Sequence, residues 1–199
     1  MRGESGRRDL PFTSRESMNV PEKRALARHA LRHIESGDTI LLDASSTALE
    51  FARQLPDLPI TVLTNALKIA IELSDRAELR VVMVGGVVAP RSLSCVGPLS
   101  DHAIECINVQ KAFFSCRGVD ATRGLSESDD EQARFKRRIL ALSERTYLLA
   151  DHTKLGLRSA FFFAPASGID ILITDRDPAP DFAAAMRAGG VEIQIASPE

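Results

Sequence analysis

The chain is short of cysteine, of net charge and of long apolar runs, and each shortage removes a class of function. Its three cysteines, Cys95, Cys106 and Cys116, include no close pair, so neither a C-x2-C zinc site nor a disulfide framework is expected. They read as reduced thiols of a cytoplasmic protein. The formal net charge is -2 over 199 residues, which advertises no nucleic-acid surface. There is no charged-then-apolar leader and no apolar run long enough to span a bilayer. Neither a G-x-G-x-x-G fingerprint nor a Walker lysine motif occurs, and no cofactor is expected. What remains is a globular balance, 44% hydrophobic and 26% charged, with material for a sizeable core.

Residues 1–18 are polar and aperiodic and read as a disordered tail or linker remnant. A domain covering 19–199 begins at Asn19, a plausible N-cap ahead of Val20 and Pro21. From there short apolar runs alternate with helical periodicity. Strands are predicted over Thr39–Leu42, Ile60–Leu63, Arg80–Val84, Lys111–Ser115, Thr146–Ala150, Ile169–Thr174 and Val191–Ile195. Helices are predicted between most of them. The strand runs are apolar throughout rather than alternating, as strands covered on both faces must be. The predicted fold is therefore α/β: three-layer and Rossmann-like, a mostly parallel sheet with helices on both faces.

Polar groups collect immediately after the predicted strands, and in a parallel sheet those ends share one edge, where ligands bind. Ser45, Ser46 and Thr47 join a strand end to a helix start. They suit a phosphate, through free amides, hydroxyls and the helix dipole, or simply cap the helix. Asp43 either accepts hydrogen bonds from sugar hydroxyls or holds the loop. Thr64 and Asn65 cap the next helix or lend an amide to a ligand. Gly85 and Gly86 allow a close backbone approach or a tight turn. Asp120 and Glu127 are further hydroxyl acceptors. Lys136 reaches a phosphate, pairs with an acid or is solvated. After the fifth strand, Asp151 can orient a hydroxyl and Lys154 can neutralise a phosphate. His29 and His33 stand one turn apart without a third ligand, so no metal site is expected.

The ordered set Gly37–Thr47, Val62–Asn65, Val84–Gly86, Val96–Pro98, Ala112–Asp120, Gly124–Glu127 and Leu149–Lys154 resembles the C-terminal sensor domain of the DeoR family of bacterial transcriptional repressors. It departs at Ser45-Ser46-Thr47, where the family usually has Gly-Thr-Thr. The resemblance implies a fold similar to ribose-5-phosphate isomerase and a phosphorylated sugar as effector. It also implies operator binding by an N-terminal winged helix-turn-helix, absent from this stretch, in a homo-oligomer. Turnover is not expected. The alternative is an aldose–ketose isomerase, with Glu127 or Asp120 as base and Lys136 or Lys154 as electrostatic partner. Leu157 and Phe161–Phe163 either cover an interface or fill the core.

Overall fold

Alternation within each apolar run decides which helices cover which face of the sheet. The computed structural model describes residues 10–196. Its elements in chain order are α1 (Phe12–Glu16), α2 (Val20–Ala30), β1 (Thr39–Leu42), α3 (Ser46–Gln54), β2 (Thr61–Thr64) and α4 (Leu67–Leu73). Next come β3 (Arg80–Met83), β4 (Val87–Ala89), β5 (Ser94–Val96), α5 (Pro98–Glu105), β6 (Val109–Phe114), β7 (Gly118–Asp120) and β8 (Gly124–Glu127). The chain ends with α6 (Asp130–Leu142), β9 (Ser143–Leu149), β10 (Phe161–Ala164), β11 (Ile171–Thr174), α7 (Pro180–Ala188) and β12 (Glu192–Ile195).

The main sheet has seven strands in the order β12-β11-β9-β6-β1-β2-β3, and every neighbouring pair is parallel. Ile40, Leu42, Phe113, Tyr147, Leu149, Ile171 and Ile173 face one core with α1 to α4. Leu41, Phe114, Leu148 and Leu172 face the other with α5, α6 and α7. The three-layer α/β architecture expected from the apolar runs is the one found. On the first face Phe113 lies between Phe51 and Tyr147, with ring centroids 4.8 and 4.5 Å away.

Two differences stand out. Short antiparallel pieces, the β4–β5 hairpin and the β10-β8-β7 sheet, were not foreseen. Their three- and four-residue strands carry Gly118, Asp120 and Gly124, residues that read as loop. Within the stretch expected to be a tail, residues 12–16 instead form a short helix docked through Phe12. Phe12 is 2% exposed and its N–H donates to Arg91 O at 2.8 Å, because one aromatic anchor suffices to dock a five-residue helix. Residues 1–9 of that expectation lie outside the described residues. Of the three phenylalanines, Phe163 is buried while Phe161 stays exposed on β10.

Phe113→Ala removes the middle ring of the stack. It is expected to lower unfolding free energy by about 3–5 kcal/mol, read as a shift in the urea midpoint at unchanged slope.

Candidate functional site

In an open parallel sheet the crevice opens where the chain's direction of winding reverses. Here that point is β1 and β6, since β1 leads outward to β2 and β3 while β6 leads the other way to β9, β11 and β12. The turns after β1 and β6 therefore part, and the loop after β9 lies beside them. Ser45 caps α3, accepting from Ala48 N at 3.0 Å. The helix itself offers no partner to the N–H groups of Ser46 and Thr47 in its first turn. Ser45 also donates to Asp43 Oδ1 at 2.6 Å.

Two lysines organise the floor. Lys136, on α6 and 4% exposed, donates to Ser115 O at 2.6 Å and to Glu127 Oε1. It lies 3.0 Å from Asp43 Oδ2. Burial alone would push its ammonium down, but the charges of Glu127 and Asp43 more than offset that and hold it above the ordinary lysine value. The Asp43 charge is thus spoken for and does not confront an anion. Lys154 donates to Ser115 Oγ at 2.7 Å and to Thr47 Oγ1 at 3.4 Å. It stands 3.7 Å from Asp151 Oδ2, a buried oxygen without a hydrogen-bond partner. Burial raises the Asp151 carboxyl, yet Lys154 and the bonds from Thr153 bring it below its usual value.

Above this floor is a cavity of about 400 Å3. Of the residues singled out from sequence, Ser45, Ser46, Glu127, Lys136, Asp151 and Lys154 line it, with Asp43 and Thr47 in contact from beneath. Its lining also includes Arg15, Asn19, Lys23, Ser115 and Gln132, which sequence reasoning did not select. Asn19 heads α2 at φ 50°, and its amide reaches Asp151 Oδ1 and Thr153 Oγ1, both at 3.3 Å. Gln132 donates to Ser94 Oγ at 2.9 Å. Cys116 lines the cavity too, but burial pushes its thiol up to about 12, so it is protonated and inert. Cation donors, hydroxyls and carboxylate oxygens thus surround one hollow.

Residues 18–176 match the DeoR C terminal sensor domain family. This chain belongs to that family. The DeoR domain is 43% identical over 173 residues to an uncharacterized HTH-type transcriptional regulator, YulB, of Bacillus subtilis, covering 86% of this chain and 67% of the relative. It is 34% identical to an L-fucose operon activator of Haemophilus influenzae, covering 83% of this chain and 66% of the relative. The chain thus spans about two thirds of the length of such relatives. Its fold is like that of ribose 5 phosphate isomerase A from Neisseria gonorrhoeae, at TM-score 0.50 and 15% identity over 72% of this chain and 55% of the other.

The remaining selected residues of the DeoR domain lie off the cavity, Thr64, Asn65, Gly85 and Gly86 after β2 and β3 and Asp120 in the small antiparallel sheet. Thr64 donates to Leu42 O at 2.8 Å and accepts from Ala66 N. Asn65 donates to Cys95 O at 2.9 Å and is fully buried. Both tie β2 to its neighbours, because the second and third turns sit away from the winding reversal. Gly86, at φ 149°, has no room for a Cβ, which would stand 2.2 Å from Ser100 Oγ. Gly85 O accepts from Ser100 at 2.6 Å, so this pair serves the packing of α5. Asp120 closes the β7–β8 turn through Thr122 N and Arg123 N and pairs with Arg158 at 2.6 Å. His29 and His33 both meet Gln194 Oε1 at 2.9 Å.

Lys136→Met strands Asp43 and Glu127 without their cation. The expected loss is about 3–5 kcal/mol of unfolding free energy, measured by denaturant titration. Lys23 supplies a pH test. Burial, then the charge of Lys154, lowers its value from 10.5 to about 8. Between those values the unfolded chain holds more protons, so this group makes stability rise with pH across that window and fall away as pH drops through 8. The melting temperature of the wild type relative to Lys23→Met is expected to climb from pH 8 to pH 10.

Proposed function

We propose that this domain binds a small phosphorylated sugar in the cavity at the β1–β6 reversal, without turning it over. The observation that carries the reading is Lys154, bridging Ser115 and Thr47 beside the amide-rich start of α3, where a phosphate is favoured by both charge and dipole. Ser46, Thr47 and Lys154 take the phosphate. Glu127 and Asp151 Oδ2, which no hydrogen bond occupies, take sugar hydroxyls. Residues 19–199 form the sensing unit, with 10–18 as an adjoining lip.

Relatives named as HTH-type regulators and as a sugar-operon activator support the rest. In the intact protein, a cytoplasmic homo-oligomer, effector binding shifts the operator affinity of a winged helix-turn-helix. No described helix is long and apolar enough to cross a membrane.

A thermal-shift screen of pentose and hexose phosphates against their unphosphorylated sugars tests this. One phosphosugar is expected to raise the melting temperature selectively, since ligand at 100-fold its Kd adds about 2.7 kcal/mol. Ser46→Ala or Lys154→Ala is expected to abolish the rise. The same samples followed by NMR should show saturable binding and no conversion to an isomer; conversion would make the domain an isomerase.

A further inference from the structure

Lys23 is a buried cavity cation that the phosphate reading leaves without a task. It projects from the second turn of α2 and is 4% exposed, an unusual burial for a lysine with no carboxylate in hydrogen-bond contact. Its ammonium donates to the backbone carbonyls of Arg15 and Met18, each at 2.5 Å. An ammonium has three donors, and these two bonds leave the third for an acceptor in the cavity that Lys23 lines. Lys23 also feels the charges of both Lys154 and Asp151. Two lysines, from α2 and from the loop after β9, thus line one hollow and repel each other there. One nearby carboxylate, Asp151, is divided between Asn19, Thr153 and Lys154.

We propose that Lys23 is the second cation of the phosphate seat, making it selective for a dianion, and that the same ammonium links the ligand to segment 10–19. The proposal rests on the phosphosugar reading of the cavity. A dianion placed between Lys23 and Lys154 turns their repulsion into two attractions, which a singly charged acid cannot do for both. The carbonyls of Arg15 and Met18 are fixed by the ammonium that the ligand engages. Asn19 joins the same segment to the Asp151 loop. The segment is already docked without a ligand, and an anion that engages the same ammonium adds to what holds it, so protection of residues 10–19 is coupled to occupancy.

The test uses the full chain, with inorganic phosphate and formate as probes, followed by NMR titration and amide hydrogen exchange. Lys23→Gln is expected to weaken phosphate binding about tenfold while leaving formate affinity within twofold; Lys23→Arg should restore the preference. A purely structural lysine would lower both affinities together. In the wild type, phosphate is expected to slow exchange of the amides of residues 12–19 at least threefold. Equal phosphate affinity in Lys23→Gln and wild type overturns the proposal and leaves the cavity reading standing. Should Lys23→Gln fail to fold, unchanged exchange of the 12–19 amides in the wild type overturns it instead. If neither phosphate nor any sugar phosphate binds the wild type, the cavity reading itself falls, and this proposal with it.

Discussion

A single buried ammonium holds the centre of this domain together. Lys136 reaches down from α6 to Asp43 at the end of β1, to Ser115 O at the end of β6 and to Glu127 at the end of β8. Those are the points where the winding of the sheet reverses and neighbouring turns would otherwise splay. A buried ion pair contributes less to stability than its Coulomb energy suggests, because both partners lose their hydration. Its value here is geometric. One cation and two carboxylates fix three loops at one place, and those loops form the floor of the cavity.

The charge arithmetic of the floor follows from that choice. One lysine between two carboxylates leaves a negative surplus beside the cavity. Lys154 stands beside it at Ser115, and Lys23 lines the same hollow. On the proposed reading, Lys154 and Lys23 take the charged end of a ligand, and Glu127 and Asp151 take its hydroxyls. A ligand with a charged end and a hydroxylated end matches such an arrangement in one orientation only. On that reading, the strand-edge location sets where a ligand binds and this arrangement sets which way round it lies.

Much of the fold was legible in the sequence, because unbroken apolar runs such as Ile40–Leu42 and Ile171–Ile173 demand cover on two sides. The edge that gathers polar residues was legible for the same reason. Position along the edge was not. Thr64, Asn65, Gly85 and Gly86 end strands as Asp43 does, yet only strand order, set by long-range pairing, tells which turns flank the reversal. Lys23 was invisible for a different reason. A lysine on an amphipathic helix is ordinarily solvated, and only the docking of Phe12 folds the preceding segment over it. Asn19 stands at the N-cap of α2 as expected, but its side chain makes no cap bond and its amide serves the loop after β9.

The pairing of β1 with β6 has a consequence for how the domain comes into being. Thr39 and Gln110, 71 residues apart, are hydrogen-bonded across that seam. No short hairpin can nucleate it, and closing so large a loop is slow. During synthesis β1, α3 and β2 must wait, with one neighbour missing, until β6 leaves the ribosome. Lys136 and Lys154 emerge later still. The hollow is accordingly completed only once Lys154 has been made, so on the proposed reading a nascent fragment holding only the first half is blind to the small molecule.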